Sequence, residues 1–121
     1  MTDEQTALSR RAVACKGFRW LPGMMRLRAT PPSRRDHLRG EGRVPDGGDT
    51  WEYENWPVIP DVSDAATLGC LLALVREAYP DAYTVPQLDP EEVLWYVVTA
   101  SGAAWSNAEA GALVAALESA P

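Results

Sequence analysis

The sequence has little of what most catalytic sites need. It contains one histidine, His37, and no set of histidine, cysteine and carboxylate residues with metal-ligand spacing. The glycines between residues 40 and 48 lie in a polar stretch with no strand before it and no helix after it, so they form no phosphate-binding motif. Glu91 and Glu92 are adjacent and would point to opposite faces of a strand. The sequence therefore predicts a protein that is not an enzyme and binds no metal or cofactor.

Cysteines and long apolar runs are also scarce. Cys15 and Cys70 are too few for a disulfide scaffold and have no C-x-x-C spacing, so we expect two free, buried thiols. No run approaches the roughly 20 apolar residues that span a membrane. The chain starts with Met1-Thr-Asp-Glu-Gln5, which is acidic where a signal peptide would be basic and then apolar. These features predict a cytoplasmic protein without a membrane partner.

Charge is present in quantity but is distributed unevenly. Residues 1–45 hold ten of the eleven Lys and Arg residues and four acidic residues, which gives this half a net charge of +6. Residues 46–121 hold only Arg76 against thirteen acidic residues, a net charge of −12. Such asymmetry has two interpretations: a polar binding surface, or two halves that fold together and attract each other within one domain.

Hydrophobic periodicity and capping residues predict most of the elements. Thr2 and Gln5 form a capping-box pattern before a helix over about residues 3–14, and Asp64 or Ser63 caps a helix over about 65–79. A second capping-box pattern, Ser106 to Glu109, precedes a helix ending near residue 119, with its apolar residues on one face. Residues 18–21 and 24–28 have strand patterns on either side of Pro22-Gly23, a pair that favours a type II turn, so they form either one bent strand or two paired strands. Further strands are predicted at 51–56, at 83–85, at 93–99 as a central strand, and at 103–105.

Two segments stand out as candidate binding sites. Residues 29–50 form an Arg-, Gly- and Pro-rich loop of a length that is usually functional or mobile, and its arginines Arg34, Arg35 and Arg39 could contact a partner. The following segment alternates aromatic and acidic residues of the kind favoured at binding hot spots: Trp51, Glu52, Tyr53, Glu54 and Trp56. The alternative is that the tryptophans of the chain fill a small core.

The order of elements predicts the fold class. A chain of 121 residues is the size of a single domain. Strands separated irregularly by hairpin-like turns favour an α+β domain over residues 1–121, with a mostly antiparallel sheet of about four or five strands and two or three helices packed on it.

Three stretches of the sequence carry a family resemblance. The segment Arg11-Ala-Val-Ala-Cys-Lys-Gly-Phe-Arg-Trp-Leu-Pro-Gly-Met24 and the segment 60–79 resemble small uncharacterised proteins of bacteriophages and prophages. The ending, with a tryptophan-containing strand followed by Asn107-Ala-Glu-Ala-Gly-Ala-Leu-Val-Ala-Ala-Leu-Glu118, is similar to the phage domains called ABA sandwiches. The resemblance covers about two-thirds of the chain and implies a phage-borne accessory protein, without implying any site residue.

These observations lead to a first hypothesis and two alternatives. The first is a non-enzymatic phage or prophage accessory protein that binds a bacterial host protein or protein complex in the host cytoplasm. Its specific form would be an inhibitor of a bacterial defence system, such as an anti-CRISPR protein, because an acidic protein can occupy a positively charged channel. The alternatives are a nucleic-acid-binding protein that uses the Arg-rich loop, and a structural or virion-associated module. A homo-oligomer is a further option for its partners.

Overall fold

The computed structural model describes residues 1–28, 42–46 and 58–121. Three helices and six strands occur in this part of the chain. Their order is α1 (Asp3–Ala14), β1 (Met25–Arg28), β2 (Gly42–Arg43), β3 (Val58–Pro60), α2 (Ala65–Ala78), β4 (Tyr83–Asp89), β5 (Glu92–Thr99), β6 (Gly102–Ser106) and α3 (Glu109–Glu118). No helix among the described residues is long and apolar enough to cross a membrane.

Two of the three helix starts form as the sequence predicts. At α1 the Thr2 hydroxyl accepts from the Gln5 backbone N–H at 3.1 Å, and the Gln5 side chain accepts from the Thr2 N–H at 3.0 Å, which completes the capping box. At α2 the Asp64 carboxylate accepts from the Thr67 N–H at 3.0 Å. The predicted capping box at Ser106 is wrong. Here α3 begins at Glu109 with Ala108 as its N-cap and no side-chain capping bond, because Ser106 ends strand β6 instead.

The first sheet has the strand order β2-β1-β3, with both pairings antiparallel. The turn that leads into it is the predicted type II turn. Met24 N–H donates to the Leu21 carbonyl at 3.2 Å, and Gly23 has a φ of +96°, a value that glycine adopts without strain. Residues 18–21, predicted as a strand, form none. Phe18 and Trp20 instead pack edge to face, with their ring centroids 5.2 Å apart.

The second sheet has the strand order β4-β5-β6, again antiparallel throughout. The prediction of β5 as a central strand is confirmed, and β4 runs to Asp89 rather than ending near residue 85. The α+β class and the antiparallel pairing are therefore confirmed. A single sheet of about four or five strands is not: the described strands form two three-stranded sheets, because β5 is flanked on both sides by its own hairpin partners.

The core is centred on α3. Seven of its ten residues are buried, on all sides of the helix rather than on one face as predicted. α3 contacts α1, α2, β5 and β6, so it has packing neighbours in every direction. Its run of Ala and Gly residues lets these neighbours approach closely. A helix that is apolar all round is one that the fold buries completely.

Three ion pairs in the described residues link the basic N-terminal half to the acidic C-terminal half. Arg11 pairs with Glu118, Arg19 with Glu77, and Arg43 with Asp64. Each pair joins elements distant in sequence, so the charge asymmetry is partly internal to the fold. These charges are therefore compensated before any partner binds.

The pair Arg43–Asp64 belongs to a polar junction between the first sheet and α2. Arg43 donates to both carboxylate oxygens of Asp64, at 2.9 and 3.0 Å, and holds the pKa of that carboxyl well below its usual range. The buried hydroxyl of Thr67 donates to Asp64 at 2.9 Å and accepts from the Met25 backbone N–H, also at 2.9 Å. The N-terminus of α2 is thereby fixed to strands β1 and β2.

We expect Asp64 to make stability depend on pH. Its pKa is lower in the folded than in the unfolded chain, so its contribution is complete above the ordinary carboxyl value of 3.8 and is lost as the pH falls below that value. Asp64→Asn keeps an oxygen for the helix cap but cannot ionise. The difference in free energy of unfolding between wild type and Asp64→Asn should be largest near neutral pH and shrink below pH 3.8.

Urea titrations of both proteins across this pH range measure that difference. The lowered pKa values of Glu77 and Glu118 affect both proteins equally and cancel in the comparison. Asp64→Ala, which also removes the cap, should cost about 0.5–2 kcal/mol at neutral pH. A difference between wild type and Asp64→Asn that does not vary with pH would contradict the role of the ion pair.

Candidate functional site

The candidate binding residues from the sequence lie outside the described residues. This holds for Arg34, Arg35 and Arg39 in the loop and for the segment containing Trp51, Glu52, Tyr53, Glu54 and Trp56. Their assignment as binding residues stays a prediction. The described residues contain a different candidate surface, on the second sheet.

The two faces of the second sheet have different surroundings. Side chains alternate between faces along each strand. On one face, Val97 is fully buried and Ala104 packs against the core beneath α3. The register pairs Val97 with Ala104 and with Thr84, so these three residues share that face. The opposite face, which we call the outer face, therefore points away from α3.

The outer face is apolar and partly aromatic. Tyr96 lies at its centre, opposite Val85 on β4 and Trp105 on β6, and these three residues form a row across the sheet. A second row runs from Tyr83 through Val98 to Ala103. Directly opposed residues in an antiparallel sheet have Cβ atoms about 4.5–5.5 Å apart, so each row is continuous. We define the outer face by its residues Tyr83, Val85, Leu94, Tyr96, Val98 and Trp105.

Two aromatic side chains on the edge strands of the outer face are exposed to solvent, and Tyr96 between them is half-buried. Trp105 is 62% exposed and Tyr83 is 51% exposed, whereas Val97 on the opposite face is completely buried. Single exposed apolar residues are ordinary on protein surfaces, but a continuous apolar patch usually marks an interaction site. Three aromatic residues in two adjacent rows form such a patch.

The segment that forms the second sheet carries charge of one sign. Residues 77–121 contain no Lys or Arg and seven acidic residues. Two of these, Glu77 and Glu118, are in the ion pairs described above. Asp81, Glu91 and Glu92 are exposed, and none of the ion pairs among the described residues includes them. The strands of the second sheet and their flanking turns therefore carry negative charge that no ion pair among the described residues compensates.

The described residues offer little catalytic chemistry. They contain no group of three or more His, Cys, Asp or Glu side chains placed to hold a metal ion. Both cysteines are free and half-buried, not fully buried as predicted, and burial raises the pKa of the Cys15 and Cys70 thiols. A reactive cysteine needs a lowered pKa, since the thiolate is the nucleophile.

A cleft of about 510 Å³ beside the Arg11–Glu118 ion pair contains one thiol, that of Cys15, whose pKa is raised. Two further clefts in the described structure are also poor in reactive groups. One of about 500 Å³ lies between the start of α1 and the start of α3, and its polar side chains include Glu4, Ser106, Asn107 and Glu109. It holds no histidine or cysteine that could act as base or nucleophile. A second, of about 310 Å³, is lined largely by alanine and other small residues near Ala104 and Ala116.

The sequence contained a signal for the outer face that the periodicity alone did not reveal. In the run from Val93 to Val98, the residues at odd and at even positions are both apolar, which predicts a strand buried on both faces. The register is set by the two-residue turn at Ala100-Ser101, which places Tyr96 opposite Trp105. Pairing the residues one by one from that turn, starting with Thr99 and Gly102, brings Tyr96 opposite Trp105 and so identifies the aromatic row. Whether the row is exposed depends on which face α3 covers.

Comparisons with known proteins give no independent guide. The chain matches no protein-family model, no curated protein and no solved structure. The resemblance to phage proteins therefore stays a prediction from the sequence, and the candidate function depends on the surface itself.

Proposed function

We propose that this protein acts by binding another protein through the outer face, rather than by catalysis. The observation that carries the proposal is Trp105. This tryptophan of strand β6 is 62% exposed, is in one row with Tyr96 and Val85, and lies on the sheet face opposite α3. Tryptophan and tyrosine are enriched among the residues that dominate binding energy at protein interfaces.

The geometry of the sheet favours a protein partner over a small ligand. None of the residues that define the outer face lines any of the clefts described above, whereas small-molecule sites are concave. An apolar centre with acidic residues at the strand ends matches the usual anatomy of a protein interface, which has an apolar core and a polar rim.

Charge restricts the kind of partner. Asp81, Glu91 and Glu92 are exposed and lie within or next to the strands of the second sheet, and residues 77–121 contain no Lys or Arg. A complementary surface would have an apolar centre surrounded by Lys or Arg. Opposite charges of this kind accelerate the encounter of two proteins and suppress binding to acidic surfaces.

We place this activity in the setting that the phage resemblance implies. The partner would be a bacterial host protein or protein complex in the cytoplasm. The specific activity that we propose is inhibition of a defence complex, in the manner of an anti-CRISPR protein. Nucleic-acid binding by the Arg-rich loop is less well supported, because a chain with a net charge of −6 repels a phosphate backbone, whereas nucleic-acid-binding domains usually carry a strongly basic face and a high pI.

A photo-cross-linking amino acid introduced at position 105 tests the proposal in host lysate. The matched position is Val13 on α1, which is also apolar and 40% exposed but lies on another element. We expect position 105, and not position 13, to cross-link one basic protein, which is then purified for binding measurements.

With that purified partner, Trp105→Ala should weaken binding by about 30-fold or more, in line with a hot-spot loss of at least about 2 kcal/mol. Val13→Ala should change the affinity by less than about threefold. The association rate should fall as salt rises, because salt shortens the range of the attraction between the two proteins, which is about 8 Å at physiological ionic strength. Equal affinity of Trp105→Ala and wild type, with both proteins folded, would contradict the proposal.

A further inference from the structure

The second sheet has two edges, and they differ in how far they are protected. β4 and β6 are the edge strands. A two-residue turn connects β5 to β6, so the flanking residues Thr99 and Gly102 pair through mutual backbone hydrogen bonds. Hydrogen-bonded and non-hydrogen-bonded pairs alternate from there. The backbone groups of Ala103 and Trp105 therefore point outward, away from β5.

The same alternation applies to β4. Asp89 and Glu92 flank the other two-residue turn, which directs the backbone of Pro86 outward. Proline has no N–H to donate, and a proline at an outward position is one of the ways in which proteins prevent an edge strand from pairing. The β4 edge is therefore interrupted in its middle.

The β6 edge has no such interruption. Its sequence Gly102-Ala-Ala-Trp-Ser106 contains no proline and no charge, and its register with β5 is continuous. Within the described part of the chain, β6 pairs with β5 alone, and no other backbone hydrogen bond involves its residues. Ala103 and Trp105 thus present N–H and C=O groups that an incoming strand can pair with.

We propose that a second copy of this chain pairs with β6 across a two-fold axis at Ala104. In this antiparallel register, Ala103 faces Trp105 of the partner subunit, and Trp105 faces Ala103 of the partner subunit. All four of these residues have outward backbone groups, so both pairs are hydrogen-bonded, and each exchanges two backbone bonds. Isologous pairing of this kind closes after two copies.

The side chains fit the same register. Each pair on the outer face sets a large indole opposite a methyl group, and Ala104 meets its own copy on the other face. No charged side chain lies within β6, although each chain carries a net charge of −6. The two sheets join into one of six strands, and the two outer faces become one continuous surface. The partner subunit's Trp105 and Tyr83 are thereby added to the candidate site.

This inference does not depend on the function proposed above, because edge pairing lies in the plane of the sheet and partner binding lies on its face. Sedimentation equilibrium over a wide concentration range tests it. The mass should rise from 13.2 kDa towards twice that value as concentration increases. Salt should strengthen the dimer, because it screens repulsion between two acidic chains, whereas it should weaken binding to a basic partner. A mass of 13.2 kDa at every concentration would overturn the inference.

Ala103→Pro removes one outward N–H and imitates Pro86 on the opposite edge, and Ala103→Ser is the control that retains the N–H. We expect the proline variant to stay monomeric and the serine variant to dimerise with a dissociation constant within about threefold of wild type. Circular dichroism and thermal melting confirm that each variant is folded. A folded proline variant that dimerises like wild type would show that β6 is not the interface.

Cross-linking tests the register even if Ala103→Pro does not fold. In a background with Cys15→Ser and Cys70→Ser, Ala104→Cys places two thiols in a directly opposed, non-hydrogen-bonded pair. The Cα atoms of such a pair are about 4.5 Å apart, within the range for a disulfide. Mild oxidation should yield a covalent dimer at least about tenfold faster than for Ala100→Cys in the exposed turn. Equal rates would overturn the proposed register.

Discussion

Replacing Leu113 with alanine should lower the free energy of unfolding by about 2–5 kcal/mol. Leu113 is fully buried in α3 and belongs to the hydrophobic cluster that includes Leu71, Val97 and Met24. Because α3 has neighbours on every side, the surrounding elements cannot collapse into the space that the lost side chain leaves. The loss therefore combines the transfer of the removed atoms with the cost of a cavity.

Leu88→Ala is the matched control for this prediction. It is the same substitution at a residue of β4 that is 84% exposed, so it should change stability by less than about 0.5 kcal/mol. Urea denaturation followed by circular dichroism measures both variants, with equal slopes confirming that the same transition is compared. Losses of similar size at the two positions would mean that α3 is not at the centre of the core.

Gly111→Ala should also destabilise the protein, by about 1–3 kcal/mol, although alanine is the better helix former. Gly111 is buried where α3 crosses β6. A methyl group there would lie 2.8 Å from Cβ of Ser106 and closer still to its hydroxyl oxygen. Rotation of the Ser106 side chain does not move its Cβ, so either the helix or the strand must shift.

Gly69 provides the control for Gly111, because it lies within α2 and is exposed. A methyl group at Gly69 would meet no atom within 4 Å, so Gly69→Ala should stabilise the protein by up to about 1 kcal/mol. The two substitutions should therefore have opposite signs in thermal melts.

Ser106→Gly supplies the second test of the contact. Combined with Gly111→Ala, it removes the clashing atoms and should recover part of the loss, which a double-mutant cycle measures as a coupling between the two sites. Purely additive effects would show that Ser106 does not cause the destabilisation.

The sequence determined the local elements, because their signals are local. The capping box Thr2–Gln5 and the cap at Asp64 each place a side-chain acceptor opposite an unpaired helix N–H, which needs no information from the rest of the chain. Pro22-Gly23 predicted its turn in the same way. After residue 80, short runs rich in β-branched and aromatic residues, separated by short turns, predicted β4, β5 and β6 and, with the helices, the α+β class.

Local signals led to a wrong prediction where the same sequence pattern is compatible with either a helix cap or the end of a strand. Ser106 and Glu109 have the spacing of a capping box, yet Ser106 pairs with Trp95 as the last residue of β6. The pairing of the strand determines the position of Ser106, and α3 then starts at Glu109 without a side-chain cap. The segments predicted to bind a partner, residues 29–50 and 51–56, extend over parts of the chain outside the described residues, so they remain predictions.

Only the tertiary structure decided how many sheets the strands form, which helix is central and which aromatic residues are exposed. Helix periodicity predicted one apolar face for α3, although its alanines are compatible with burial on every side. α3 is buried on every side because α1, α2 and the second sheet all pack against it. For Trp105, a strand pattern fixes only which side chains share a face. α3 covers one face of the sheet, and on the opposite face Trp105 and Tyr83 are more than half exposed, so part of an apolar pattern that predicts a core forms surface instead.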